Sequence, residues 1–377
     1  MSKQTIDIVA TGDIILGHAC DYLFDHARSL LQAADITVGQ LEVTHTTRAP
    51  HAVALGRTPP NLQPIADAGF DVITLAGNHL MDYGKEGIAD TIEWLDARRI
   101  QHLGAGMNLA EARRPAIVER KSMRVGFLNY NCVGPQDTWA GKERAGNAYI
   151  HIVTHYELDH ANPGGPPKVH TYAEPKTMGW MKEDIQKLKE ACDFVVVSLH
   201  KGLVHTPAKL VDYEYQVAYE AIDAGADLIL SHHSHILKGV EWYKNKPIYH
   251  GLCNGFVYLP MEALHTGPLP DNWAERRKAL FGFEPDKAYT NYPFHPEAKH
   301  TVLAKCTIDE SGLVRTAIVP CFVNKSSQPE LVGRSPKGLE VMEYLQRISE
   351  AAGLNASYEW DGEEIVVRPG PSEVDRI

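Results

Sequence analysis

The sequence predicts an α/β fold, and two observations carry that prediction. Strand and helix signals alternate from Ile6 to Tyr130 and resume from Asp184 to Leu230. Several of the strand signals are nearly continuous apolar runs, such as 71–76 (DVITLA) and 193–199 (DFVVVSL). Such runs belong to sheets covered on both faces, and strand–helix alternation gives a largely parallel sheet.

In chain order, 6–10 is a short β-rich run ended by Thr11-Gly12-Asp13, and 35–41 is a second, ending at Glu42. A helical stretch at 62–68 is stopped by Gly69. The strand 71–76 runs into Gly77-Asn78-His79, after which Ile88, Ile92 and Leu95 fall at helical spacing. Residues 123–130 form another strand. Beyond an irregular stretch, 184–191 reads as helix and 193–199 as a buried strand stopping at His200. Residues 211–224 read as helix with Gly225 in the C-cap place. The strand 227–230 runs into Ser231-His232-His233-Ser234-His235. Later strands are expected at 247–250 and 301–308, and a late helix at 338–353 with Leu339, Met342 and Leu345 on one face. Two segments, 132–179 and 260–296, interrupt the rhythm with Gly, Pro and aromatics, among them Trp139, Lys142, Arg144, Trp273 and Tyr292. Long loops inside a compact domain are mostly functional or disordered, and these are expected as ordered insertions closing over the site of a single domain, 1–377.

The chemistry gathers where strands end. Five expected strands stop at a potential metal ligand: Asp13, Glu42, Asn78, His200, and the pair His233 and His235. In open α/β sheets ligands bind beyond the carboxyl ends of the strands. Taken singly, Asp13 and Asn78 also suit turns and His200 a core position. Three imidazoles within 232–235 would repel one another if protonated, and a metal binds the neutral form. Oxygen and imidazole donors without thiolate suit Mn²⁺, Zn²⁺ or Fe²⁺.

Composition excludes other classes. With 37 basic and 48 acidic residues the formal net charge of −11 opposes nucleic acid and anionic membranes. No uncharged apolar run approaches the ~20 residues of a spanning helix. MSKQTIDIVA has no secretory h-region, and the 6 cysteines are scattered, so free thiols and a cytoplasmic location are expected. Gly104-Ala105-Gly106 lacks the third glycine of a dinucleotide fingerprint, and neither a Walker loop nor a Gly-x-Ser-x-Gly elbow occurs.

Gly12-Asp13, Leu41-Glu42, Gly77-Asn78-His79 with Asp82-Tyr83-Gly84, His200 with Gly202, His233-Ser234-His235 and Asn254-Gly255-Phe256 together resemble the CapA family. That family is named for capsule poly-γ-glutamate synthesis and is similar to calcineurin-like metallophosphatases. The resemblance implies a four-layer α/β-β/α sandwich with one or two divalent ions at one edge. It implies that Glu42 bridges, that Asn78, His200 and His233 hold one ion, and that Asp13 and His235 hold the other. It places His79 behind the ligands or as a proton donor. The chain departs from the metallophosphatase pattern at Asp13-Ile14-Ile15, where Asp-x-His is usual, with His18 as a substitute, and at Leu41-Glu42, where Gly-Asp is usual. It departs from the CapA pattern at His200-Lys201-Gly202 and Val204-His205, where His-Trp-Gly and Glu-Tyr are usual.

The expected function is a soluble metal-dependent hydrolase of a small molecule, acting on an amide, lactone or ester. Phosphoester cleavage ranks lower, because no arginine cluster stands out in the second half. His79, oriented by Asp82, or His205 would protonate the leaving group, and Lys201, Trp139 and Asn254 would face substrate. The alternatives are a phosphoesterase, a component of capsule assembly acting with membrane partners, or a metal-stabilised binding protein. A homo-oligomer is left open.

Overall fold

The computed structural model describes residues 4–157, 164–165, 167–260 and 273–370. A 10-stranded sheet runs in the order Ala356–Asp361, Glu364–Pro369, Gly312–Val323, His300–Asp309, Ile6–Ile15, Ile36–Leu41, Val72–Thr74, Gln101–Leu103. Asn254–Val257 also pairs with Ile6–Ile15, and Pro329–Leu331 with Gly312–Val323. A 6-stranded sheet runs Val240–Tyr243, Lys246–Tyr249, Leu228–His233, Phe194–Lys201, Met123–Asn131, Ala116–Arg120. In both, the central α/β strands are parallel.

Side-chain alternation along single strands sets the layers. Ile6, Ile8 and Ala10 share one buried cluster with Phe127, Phe194, Val196, Leu228 and Leu230, so the two sheets face each other. Val9 and Ile14 point the other way and pack with Leu31, Ile65 and Leu95 of the helices Arg28–Ala33, Gln63–Asp67 and Gly84–Ala97. Leu128, Val195, Val197 and Ile229 pack outward on Met181, Ile185, Val217 and Ala221 of the helices Pro175–Lys189 and Asp212–Ala224. Helix, sheet, sheet, helix is the four-layer sandwich expected. The C-terminal strands widen the first sheet. The helix Pro336–Ala351 joins the inter-sheet core through Val341, Tyr344, Leu345 and Ile348.

Several elements differ from the sequence reading for identifiable reasons. The first strand does not stop at Ala10 but continues to Ile15, with Asp13 inside it. Asn254–Val257 supplies a parallel neighbour there, pairing Asp13 with Asn254, and the register shifts between Asp13 and Ile14. Gly12 permits this approach, since a Cβ would sit 2.3 Å from the Cys253 carbonyl oxygen. His200 and His233 likewise lie within strands, because the ladder pairs His200 with His232 and Lys201 with His233. The helix expected at 184–191 starts at Pro175, where the Glu174 carboxylate accepts the Thr177 N–H. On the late helix Leu339 is exposed. Leu345 is buried and Met342 packs against the core as expected, and the buried stripe also takes in Val341, Ile348 and Tyr344, which stacks on His300 at 4.5 Å. All six cysteines are free and buried. Among the described residues no helix is long and apolar enough to cross a membrane.

His232 ties the two sheets together. Its Nε2–H donates to the Thr11 carbonyl at 3.0 Å, and Nδ1 accepts from the Ser198 hydroxyl at 3.3 Å. Burial pulls its pKa down to about 4 from 6.5. The unfolded chain therefore binds more protons than the folded one between those values, so this contribution is present above the unfolded pKa and is lost as pH falls toward the folded one. The shift corresponds to roughly 3 kcal/mol. His232→Gln is expected to melt lower than wild type at neutral pH and to lose less stability on acidification through this window. Parallel pH–melting curves for the two proteins would count against the assignment.

Candidate metal centre

The carboxyl ends of parallel strands from both sheets meet at one edge, and the local chain places donors there. Glu42 follows Ile36–Leu41, and Asn78 sits on the turn after Val72–Thr74. His200 ends on Phe194–Lys201, and His233 and His235 follow Leu230. His233, His235 and nearby His205 and Cys253 adopt positive φ (87°, 49°, 53° and 61°). Left-handed backbone in non-glycine residues is costly and concentrates at functional sites.

Asp13, Glu42 and His235 bring one ligand atom each within 4.8 Å of one another. His235 Nε2 lies 3.2 Å from Glu42 Oε1, and its Nδ1 lies 3.6 Å from Asp13 Oδ2. Asn254 Oδ1 takes the Nδ1–H bond at 2.8 Å, which turns Nε2 toward Glu42. Asp13 Oδ2 also accepts the His233 backbone N–H at 3.0 Å. Beside this group, Asn78 Oδ1 faces His200 Nε2 at 2.8 Å and His233 Nδ1 at 3.1 Å. The rings of His200 and His233 are 4.9 Å apart, and those of His233 and His235 6.3 Å. The six residues read as ligands are therefore brought together, as two adjoining groups.

Electrostatics explains why these side chains fit a cation. Burial, then the neighbouring Glu42, pushes the Asp13 carboxyl up to about 8. Burial would raise Glu42 too, but His235 and His79 outweigh it and hold Glu42 well below the carboxylate range. Burial would lower His235, yet Glu42 and Asp13 hold it up at about 9. Burial, with His235 beside it, drives His233 down to about 3, and burial with His233 drives His200 well below its usual value. The centre thus holds two neutral imidazoles beside two buried carboxylates. Asp13 Oδ1 and both oxygens of Glu42 accept no hydrogen bond. Buried carboxylate oxygens without donors are expensive, and a divalent cation supplies what they lack.

A pocket of about 590 Å³ opens onto the centre. Its lining includes Glu42, Asn78, His233 and His235, and also His79, Asp82 and His205. His79 Nδ1 lies 2.9 Å from Asp82 Oδ2 with its side chain half exposed. Burial would lower the His79 pKa, but the Asp82 bond raises it above normal. The His205 ring stands 5.8 Å from that of His235 and 5.9 Å from that of Phe294. Its backbone N–H donates to Ser234 at 2.8 Å.

The side chains expected to face substrate are placed differently. Lys201 is fully buried, with Nζ 3.3 Å from Glu214 and 3.2 Å from His250, because strand pairing turns it away from the pocket. Asn254 is fully buried behind His235, and its amide donates to the Tyr292 hydroxyl at 2.9 Å. Trp139 stacks on Tyr149 at 4.2 Å and is not in the pocket lining. Among the described residues, its insertion, 132–179, contributes none to that lining. Asn147 of this segment instead supports the Asn78 turn by donating to the Gly77 carbonyl at 2.9 Å. The other segment, 260–296, does reach the pocket through Phe281, Pro293 and Phe294. The side chain of Trp273 lies outside the described residues. His18 sits 3.3 Å from the Ala54 carbonyl and is absent from the lining. Arg57, His51 and Leu259 line the pocket, and neither spacing nor motif marks them; Tyr83, of the Asp82-Tyr83-Gly84 motif, lines it as well.

The family model described as "Bacterial capsule synthesis protein PGA_cap" matches residues 6–257. An uncharacterized protein of Sinorhizobium fredii, y4uA, is 26% identical over 423 aligned positions, covering 93% of this chain and 91% of that one. The capsule biosynthesis protein CapA of Bacillus anthracis is 26% identical over 273 positions, covering 68% of this chain and 60% of that one. Among solved structures, the calcineurin-like phosphoesterase YfkN of Bacillus subtilis aligns at TM-score 0.41 and 14% identity, over 93% of this chain and 99% of that one.

Replacing Lys201 by Ala strands the buried Glu214 carboxylate, an error expected to cost ~3–5 kcal/mol. A large fall in melting temperature is expected for Lys201→Ala. A variant with wild-type melting and a raised KM would return Lys201 to a substrate role.

Proposed function

The chain belongs to the bacterial capsule synthesis protein PGA_cap family, and from that premise we propose that it is a metal-dependent hydrolase of phosphoesterase type. The observation carrying this reading is the buried group of Asp13, Glu42 and His235, in which Asp13 Oδ1 and both Glu42 oxygens accept no hydrogen bond. Asp13, Glu42 and His235 would hold one divalent ion, with Asn78, His200 and His233 positioned for a second. Such an ion supplies Lewis-acid activation of water and of a substrate oxygen. Asn254 fixes which nitrogen of His235 faces the centre. His79, held by Asp82 in the pocket wall, donates a proton to the leaving group. His205 packs against His235 and shapes the cavity. The sequence grounds against phosphoesters are the altered first motif and the lack of an arginine cluster in the second half; Arg57 brings one guanidinium to the pocket from the first half.

A second reading, a part in capsule polymer synthesis, is favoured by the likeness to Bacillus anthracis CapA over 68% of this chain. Assays with bis-p-nitrophenyl phosphate and with γ-glutamyl oligomers, each with Mn²⁺ or Zn²⁺, separate the two. The first reading expects phosphoester turnover abolished by chelator. Cleavage of the oligomer alone would favour the second.

His233→Ala is expected to lower both metal content and turnover. Unchanged metal stoichiometry would remove His233 from the ligands. His79→Ala is expected to keep its metal and lose kcat by ~10²–10⁴-fold. If His79→Ala retains kcat and His205→Ala does not, the proton donor is His205.

A further inference from the structure

The carboxylates lining the pocket each have an imidazole partner. Glu42 faces His235 at 3.2 Å, and Asp82 faces His79 at 2.9 Å. Arg57 has no such counter-ion. Its residue is 5% exposed and lines the same pocket, yet among the described residues no carboxylate pairs with it. Its side-chain hydrogen bond runs from Nη1 to the Tyr83 hydroxyl at 2.8 Å, a neutral partner. A guanidinium carries N–H groups arranged as a planar fork, suited to two oxygens of one anion. Burying that charge without an anion is unfavourable, and a ligand anion relieves the cost.

The backbone that carries the guanidinium is fixed on both sides. The Arg57 backbone N–H donates to the Ala52 carbonyl at 2.8 Å, and its own carbonyl accepts from the Thr46 N–H at 2.9 Å. The guanidinium carbon lies 6.0 Å from the Tyr83 ring centre, and the His51 ring lies 6.2 Å from the same ring. Tyr83 follows directly on Asp82, so the chain segment that carries His79 and Asp82 also carries the anchor of Arg57. Ile15, Val204, Leu259, Phe281 and Phe294 give the lining an apolar wall. The pocket therefore offers a metal centre, one buried cation and an apolar wall.

We propose that Arg57, anchored by Tyr83, is an oxyanion subsite that selects substrates bearing a carboxylate or phosphate group beside an apolar body. The proposal rests on the reading of this pocket as a hydrolase site, but the subsite can be tested without turnover. Isothermal titration of the full chain, stripped of metal by chelator, is run with inorganic phosphate and with succinate as separate probes. At least one probe is expected to bind wild type, and the one that binds identifies the oxyanion. Arg57→Met is expected to weaken that binding by roughly 10- to 100-fold. Arg57→Lys, which keeps the charge and loses the fork, is expected to fall between. Should Arg57→Met melt below the assay temperature, Arg57→Gln carries the same comparison. The subsite is overturned if neither probe binds wild type, or if the Met or Gln variant binds as tightly as wild type. A protein that binds the anion through Arg57 but hydrolyses nothing keeps the subsite and loses the hydrolase reading. Metal-dependent turnover with anion affinity indifferent to Arg57 does the reverse.

Discussion

The burial of Asp13 and Glu42 beside each other is the constraint on which the site turns. Two carboxylates with almost no exposure, side by side, would be untenable without compensating positive charge. His235 provides part of it, which is why its pKa stands at about 9 against the pull of burial. The fold supplies the rest of the frame. Asn254–Val257 runs parallel to Ile6–Ile15 and draws Asp13 inward, while Asn254 also orients His235. His232 binds the Thr11 carbonyl from the opposite sheet. That strand pair, with the cross-sheet hydrogen bonds from His232 to Thr11 and from the His233 N–H to Asp13, holds the two halves of the centre in register.

The same arrangement separates chemistry from structure among the histidines. His232, His233 and His235 are close in sequence but face three environments. His232 is an inter-sheet tie, His233 faces Asn78, and His235 faces the carboxylates. Strand alternation sends 232 and 233 to opposite sides, and positive φ at 233 and 235 redirects the chain over the edge. The pocket then combines this centre with aromatic walls contributed from outside the core strands.

The parallel α/β strands and the convergence of the six donors could be read from the sequence because apolar strands end in polar residues at regular intervals. Asp13 was harder. Its strand continues between Gln40 on one side and Asn254 on the other, and no local signal shows a partner 241 residues away. Lys201 is placed away from the pocket because neighbouring His200 in sequence says nothing of which face a strand residue occupies, and Asn254, singled out by the Asn254-Gly255-Phe256 resemblance, lies behind His235. The C-terminal hairpins escaped notice as a sheet extension because antiparallel edge strands lack the continuous apolar character of the buried parallel ones. Arg57 belongs to no motif, and only the folded chain brings it to the pocket.

Thermal melting of the metal-stripped protein during titration with Mn²⁺ tests the central claim most directly. A ligand that binds the native state alone raises the melting temperature with its concentration. The account predicts a saturable rise in wild type that is lost in Glu42→Gln. The metal-free variant loses the partner of His235 and should melt no higher than metal-free wild type, so its response to Mn²⁺ is read against its own metal-free baseline. A wild-type melting temperature indifferent to Mn²⁺, Zn²⁺ and Fe²⁺ alike would contradict the account.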